Sequence, residues 1–165
     1  MTKIDLSGVW KAELRPLNGL PFSGSISLPG TTSFAGLGPE NTTIDSGHLT
    51  DLHPFEGSVI YERDVILPEN DKTLALLTLE RTRITTVYWD GHEISTHNSL
   101  SAPHRCLLPG HNAGVHHLAI KVDNTGYPVP GGHLTSPDMQ SNWNGITGEI
   151  SITLSDILFQ DVQVF

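Results

Sequence analysis

The sequence of 165 residues has few cysteines, few basic residues and no long apolar run. Its single cysteine, Cys106, cannot form an internal disulfide, so the fold needs no oxidising compartment. Nine Lys and Arg stand against 18 Asp and Glu, and this net charge of −9 argues against nucleic acid and anionic membranes as partners. No stretch approaches the roughly 20 apolar residues of a membrane helix. The first residues lack the apolar core of a signal peptide, and the cellular location stays undetermined.

The main feature of the sequence is the alternation of apolar and polar residues. A chain of this length is expected to form one domain over residues 1–165. Apolar and polar residues alternate along residues 146–154 and along residues 118–122. They also alternate along residues 59–67, where Arg63 is the one exception on the apolar face. This alternation is typical of strands with one buried face. Residues 74–79 are almost continuously apolar and predict a strand covered on both sides.

Turn signals separate these segments throughout the chain. Residues 84–89 are rich in β-branched and aromatic residues, and Asp90-Gly91 follows them, which predicts a type I′ hairpin. No segment of twelve or more residues has a helical apolar period. Roughly eight to ten short strands predict an all-β sandwich or jelly roll. Residues 30–56 and 127–144 form two longer irregular stretches, and loops of that length are often functional.

Catalytic and metal-binding patterns are weak. Most acidic residues fall on polar strand faces or in turns, and no Gly-x-Ser-x-Gly elbow occurs, so no catalytic residue is assigned. His116 and His117 should point to opposite sheet faces, and no metal-ligand spacing is found, so we expect neither a metal nor a cofactor. Loop oxygens of Asp123, Asn124 and Asp138 could hold calcium, although a solvated loop is the better interpretation.

The stretch from residue 131 to residue 144 has the composition of a sugar-binding loop. Sugars need an aromatic face for their C–H side and amides or carboxylates for their hydroxyls. The candidate residues are His133, Asp138, Gln140, Asn142, Trp143 and Asn144. The alternative is that Trp143 packs beneath the sheet and the amides only satisfy loop backbone groups. Trp10 and Trp89, on predicted strands, are expected in the core.

Several motifs resemble, in order and spacing, the N-terminal sugar-binding domain of glycoside hydrolase family 2. The resemblance extends from about Leu6 to Phe165, and its motifs are Gly8-Val9-Trp10, Leu28-Pro29-Gly30-Thr31-Thr32, Tyr61-Glu62-Arg63, Asp90-Gly91-His92-Glu93-Ile94 and the β-galactosidase-like run from Asp138 to Ile150. It implies a galactose-binding-domain-like jelly-roll β-sandwich. In the family this domain precedes an immunoglobulin-like domain and a catalytic barrel. Many members carry an arginine where this chain has Gly148.

The resemblance also implies a function. The loop at residues 131–144 reaches the barrel's active-site mouth in the family, which implies sugar contacts by Asn142, Gln140 and His133. The turn at residues 52–56, with His53, falls where the family places another active-site-facing turn; the alternative is a proline-rigidified turn with a buried Phe55. An apparent strand at residues 164–165 suggests a piece of a longer glycosidase. A self-sufficient carbohydrate-binding module and an interaction domain without sugar contact remain rival interpretations.

Overall fold

The fold consists of antiparallel strands. A computed structural model describes residues 1–43, 46–69, 71–127, 132–136 and 138–157. Within these ranges there are twelve strands and no helix, hence no helix that could cross a membrane. The strands are β1 Thr2–Asp5, β2 Gly8–Pro16, β3 Phe22–Leu28, β4 Gly30–Thr31, β5 Gly57–Leu67, β6 Leu74–Leu79, β7 Ile84–Trp89, β8 His92–His97, β9 His104–Leu107, β10 Gly114–Asp123, β11 Gly145–Ile146 and β12 Ile150–Ser155.

Two sheets enclose the core. The larger has the strand order β3-β2-β5-β10-β7-β8, and the smaller has the order β1-β12-β6-β9. Apolar residues of both sheets form one cluster between them. The prediction of an all-β sandwich is therefore confirmed. The strand predicted at residues 164–165 lies outside the described residues.

Alternation along the strands places the core as the sequence predicts. In β5, Val59, Tyr61, Val65 and Leu67 are buried, and in β10, Leu118, Ile120 and Val122 are buried. Arg63, the odd member of β5, donates from Nη1 to the carbonyl oxygens of Leu6 and Ser7 at 2.8 and 2.9 Å, and so holds the β1–β2 connection. Both strand tryptophans, Trp10 and Trp89, are buried, as expected.

Two strand predictions are wrong in detail. The segment 74–79 is buried on one face only, because Ala75, Leu77 and Leu79 face the core while the residues between them are half-buried. The segment 146–154 is not one strand. It pairs first with β4 and then with β6, and between them the amides of Thr147 and Gly148 donate to the carbonyls of Arg81 and Glu80.

The break between β11 and β12 explains why residue 148 is a glycine, at the position where many members of the family that the sequence resembles carry an arginine. A Cβ atom at Gly148 would lie 2.6 Å from the Cβ of Glu80 and 3.0 Å from its carbonyl oxygen. Any side chain there would displace the backbone at Glu80, since real Cβ contacts are longer. Gly148 is therefore required by the close approach of two chain segments.

The predicted hairpin between β7 and β8 is confirmed. Asp90 and Gly91 both have positive φ, at 49° and 80°, as a type I′ turn requires. The Asp90 carboxylate accepts from the His117 amide at 2.8 Å and lies 2.7 Å from Nδ1 of His116. The His116 ring stacks on Trp89, and its Nε2 faces the Asn112 carbonyl at 2.8 Å. Because both partners of the His116 ring are acceptors, the geometry fits the imidazolium form.

These contacts predict a pH-dependent contribution to stability. Burial opposes the charged form of His116, but the bonds to Asp90 and Asn112 raise the pKa of His116 above 6.5. The contribution of His116 to the stability of the fold is therefore complete below pH 6.5, and it is lost as the pH rises through the raised pKa. The hydrogen bond from His116 lowers the pKa of Asp90 below 3.8. The contribution of Asp90 to the stability of the fold is therefore complete above pH 3.8, and it is lost as the pH falls through the lowered pKa.

Asp90→Asn tests this window, because asparagine tolerates the same turn. The variant should lose about 0.5–1 kcal/mol of unfolding free energy near pH 5 and less well above neutrality. In an NMR titration of the histidines, the pKa of His116 should fall in the variant. An unchanged His116 titration would contradict the prediction.

Candidate functional site

The described parts of the two long irregular stretches meet at one end of the sandwich. Strand β4, from the first stretch, pairs with β11, which follows the second, and the Thr32 amide donates to the Asn144 carbonyl at 2.9 Å. The Ser141 hydroxyl donates to the Asp51 carboxylate at 2.7 Å. Segments far apart in sequence therefore form one continuous surface, which the sequence patterns did not reveal.

Asn144 attaches this surface to the core. Its side chain is 0% exposed, and its Oδ1 accepts from the Tyr61 hydroxyl at 2.9 Å. Its Nδ2 lies 3.0 Å from the Val122 carbonyl and 3.4 Å from the Gly57 carbonyl and donates to them. The interpretation of Asn144 as a possible sugar ligand is therefore wrong, because core acceptors already occupy its amide.

Asn124 makes a second attachment. Its Oδ1 accepts from the Gly57 amide at 2.9 Å, and its Nδ2 donates to the carbonyls of Phe55 and Asn142 at 2.7 and 3.1 Å. These contacts give Asn124 a structural role instead of the calcium-ligand role considered above. Among the described residues, no three His, Cys, Asp or Glu are grouped so as to hold a metal ion.

Arg83 lies beneath the second stretch, and sequence reasoning missed it. The residue is 3% exposed, and its guanidinium donates to the carbonyls of Trp143, Leu134 and Ser141 at 3.2, 3.0 and 3.4 Å. Its Cζ lies 4.1 Å from the centre of the Trp143 ring and 5.7 Å from that of Tyr127. Burial lowers the pKa of Arg83 and raises the pKa of Tyr127 to about 12. The only signal in the sequence is a charged residue next to a buried strand.

A cleft of about 550 Å³ opens between the second stretch, the residues that follow β10, and Glu56 at the end of the first stretch. Its polar lining includes Glu56, Arg83, Thr125, Tyr127, Gln140 and Asn142. Glu56 and Asn142 are exposed, and Oε1 of Glu56 accepts from Nδ2 of Asn142 at 3.4 Å. The cleft thus presents a carboxylate, amides and hydroxyls on a surface that buried residues hold in place.

Apart from Asn144, six residues are predicted to bind sugar, and two of them, Gln140 and Asn142, line this cleft. Nε2 of Gln140 donates to the Leu134 carbonyl, and its Oε1 accepts from the Trp143 indole at 3.3 Å. Trp143 is half-buried and lines an adjoining cleft of about 420 Å³, with Arg83 over one face of its ring.

The other three predicted residues lie outside the described lining of the main cleft. His133 is exposed, and the Asp138 carboxylate lies 4.0 Å from the His48 ring. His53 is half-buried in a separate cleft of about 440 Å³, where its ring nitrogen contacts the Gly38 carbonyl at 3.3 Å. Phe55, two residues further on, is buried, in agreement with the structural alternative for that turn.

Exposed apolar side chains surround these clefts. Leu17 and Leu134 belong to the main cleft, and Leu20, Phe34 and Leu52 line its neighbours. Phe34 is 92% exposed and Leu20 is 86% exposed. We call these five residues the apolar rim. Large apolar groups gathered at one end of a domain are typical of a surface that another protein segment covers.

Comparisons with solved structures identify where this fold occurs. A family 2 β-galacturonidase from Eisenbergiella tayi bound to galacturonate superposes with a TM-score of 0.65 at 18% identity, over 92% of this chain and 24% of the other. A β-glucuronidase from an uncultured Clostridium species superposes with a TM-score of 0.66 at 20% identity, over 92% and 28%. The resemblance is confirmed at the level of the fold.

A further match is the Ruminococcus gnavus β-glucuronidase in complex with an N1-substituted uronic isofagomine, with a TM-score of 0.63 at 20% identity. It covers 93% of this chain and 30% of that enzyme, so this chain spans only about a quarter to a third of these glycosidases. No protein-family model matches the chain, and no curated protein matches its sequence.

The attachment by Asn144 can be tested against its exposed neighbour Asn142. Asn144→Ala should lower the free energy of unfolding by about 2–4 kcal/mol, because it leaves the buried Tyr61 hydroxyl without its acceptor and removes a donor from the carbonyls of Val122 and Gly57. Asn142→Ala should change it by less than about 0.5 kcal/mol. Urea unfolding followed by fluorescence measures both. Equal losses in the two variants would contradict the structural role of Asn144.

Proposed function

We propose that this chain is a non-catalytic domain of a family 2 glycoside hydrolase that lends residues of its main cleft to the sugar pocket of a neighbouring catalytic barrel. The observation that carries the proposal is the cleft itself, where exposed Glu56 and Asn142 and half-buried Gln140 stand on loops anchored to the core. Rigid placement of such groups is what sugar recognition requires, since their orientation is fixed before the ligand arrives.

The chemistry of the cleft favours positioning over bond breaking. Retaining glycosidases need two carboxylates about 5–5.5 Å apart. Among the described residues that line the main cleft, Glu56 supplies the one carboxylate. Its oxygens can accept from sugar hydroxyls, and the amides of Gln140 and Asn142 can donate and accept. Such contacts orient a sugar for reaction elsewhere.

The fold and the apolar rim support a larger enzyme. In the matching glycosidases, the chain outside the matched part is roughly two to three times as long as the matched part. In family 2 that additional chain includes an immunoglobulin-like domain and the barrel, and we propose these as the partners of this chain. The exposed Phe34, Leu20 and Leu52 beside the clefts supply an apolar surface for such a contact.

A second candidate is a self-sufficient carbohydrate-binding module. The observation that favours it is that the main cleft, its polar lining and its anchors all come from this one chain. In that case the chain would bind sugar without a barrel. The run at residues 138–150 favours galactose-type sugars, while the matched structures are a β-galacturonidase bound to galacturonate and two β-glucuronidases.

Calorimetry on the 165-residue chain separates the two candidates. With galactosides, glucuronides and mannosides, the accessory domain should give no binding tighter than about 1 mM, because part of the pocket is missing. Tighter binding would favour the module. Nitrophenyl glycosides should not be hydrolysed, and turnover that persists in clean preparations would overturn both candidates.

Kinetics of the full-length protein test the sugar contact itself. Asn142→Ala and Gln140→Ala should each lower kcat/KM about tenfold or more, as expected for a lost hydrogen bond to a substrate hydroxyl. Asn112→Ala is the matched control, because Asn112 is exposed before β10 and the cleft lies beyond the other end of that strand. Unchanged kinetics in both cleft variants would support an interaction domain without sugar contact.

A further inference from the structure

Arg83 is a buried cation whose three main-chain acceptors all belong to the segment that carries the cleft amides. Its guanidinium donates to main-chain carbonyls at residues 134, 141 and 143, so its contacts bracket both Gln140 and Asn142. The planar fork of arginine suits several fixed acceptors at once, whereas lysine offers one flexible ammonium group. Burying a cation is costly unless it is hydrogen-bonded, which ties the segment to this geometry.

The described part of this segment, residues 132–136 and 138–143, has little regular structure of its own. Its internal backbone bonds are those of short turns, such as Thr135 N to Gly132 O at 2.8 Å and Gln140 N to Ser136 O at 3.2 Å. Isolated turns are weak restraints, because they close few hydrogen bonds for the residues they order. The position of this segment therefore depends on contacts with the rest of the domain.

Contacts lead from Arg83 to the side chain of Gln140. The guanidinium lies 4.1 Å from the centre of the Trp143 ring, and the Trp143 indole donates to Oε1 of Gln140 at 3.3 Å. A cation is attracted to the face of an aromatic ring, and more strongly when the pair is partly desolvated. Loss of the guanidinium would thus free the ring that orients Gln140.

Contacts also lead from Arg83 to Asn142. The guanidinium binds the Ser141 carbonyl, and the Ser141 hydroxyl donates to Asp51 on the opposite stretch. The Asn142 carbonyl is in turn held by Asn124. The backbone on both sides of the Asn142 side chain is therefore fixed, and Arg83 supplies the restraints at residues 141 and 143.

We propose that Arg83 is the positioning residue of the main cleft, and that it acts through Trp143 and Ser141 to set the directions in which Gln140 and Asn142 point. This inference rests on the proposed function, because those two amides are its sugar-contacting groups. Sequence patterns and the fold alone give Arg83 no such role.

Hydrogen exchange of the 165-residue chain tests the proposal with Arg83→Lys and the matched control Arg81→Lys. Arg81 is exposed and lies two residues away. In Arg83→Lys, amides of residues 132–143 should exchange about tenfold faster or more, as expected when charge-assisted bonds are lost. The strands should exchange as in the unmodified chain, and Arg81→Lys should change neither.

Fluorine NMR supplies a local spectroscopic readout. With 5-fluorotryptophan, the Trp143 resonance should shift in Arg83→Lys while those of buried Trp10 and Trp89 stay in place. Unchanged exchange in residues 132–143 would overturn the proposal. Faster exchange throughout the strands would also overturn it, because that result indicates a merely structural arginine. If Arg83→Lys does not fold, Trp143→Leu, which removes the stacked ring, should give the same local effect.

The kinetic experiments separate this proposal from the proposed function. In the full-length protein, Arg83→Lys should raise KM about tenfold with a smaller change in kcat, as expected when ground-state binding groups are misdirected. If residues 132–143 exchange as slowly in Arg83→Lys as in the unmodified chain, only the positioning role of Arg83 is overturned. Unchanged kinetics in Asn142→Ala and Gln140→Ala overturn the sugar role, whatever the exchange result.

Discussion

Buried polar side chains at one end of the sandwich determine how the loops there are arranged. A loop that crosses the end of a β-sandwich must satisfy its backbone groups without strand pairing. Asn144 and Asn124 do this from inside the core, and Arg83 does it from beneath the second stretch. Because each makes several bonds to different segments, the two stretches are held against each other and against the strands.

This arrangement separates stability from recognition. The residues that hold the loops are buried and their polar atoms are occupied, whereas Glu56 and Asn142 remain exposed at the cleft. Buried groups whose hydrogen bonds are already made lie behind the exposed groups and keep them in place, as precise binding requires. The apolar rim borders the same clefts, so recognition of a ligand and contact with another domain would take place at one end of the molecule.

Period-two alternation was enough to predict the sandwich, because burial of one strand face leaves a direct pattern in the sequence. The Asp90-Gly91 hairpin was also predictable, since the turn requires positive φ at both positions. The misassigned segments show the limit of the pattern. Apolar residues at 74–79 do not reveal whether a second layer covers them, and the alternation at 146–154 continues through a change of pairing partner.

The sequence by itself determined the all-β fold class, the inward faces of strands such as β5 and β10, and the two stretches where a site could lie. Only the tertiary structure decided which polar residues are free to bind. Asn142 and Asn144 are the same residue type two positions apart, yet one is exposed at the cleft and the other is buried against Tyr61. Arg83 likewise meets its partners some 50–60 residues away in sequence. The hydrogen-bond partners of a polar side chain come from chain segments that meet only when the protein folds. The residues next to it in sequence therefore do not show which partners it will have.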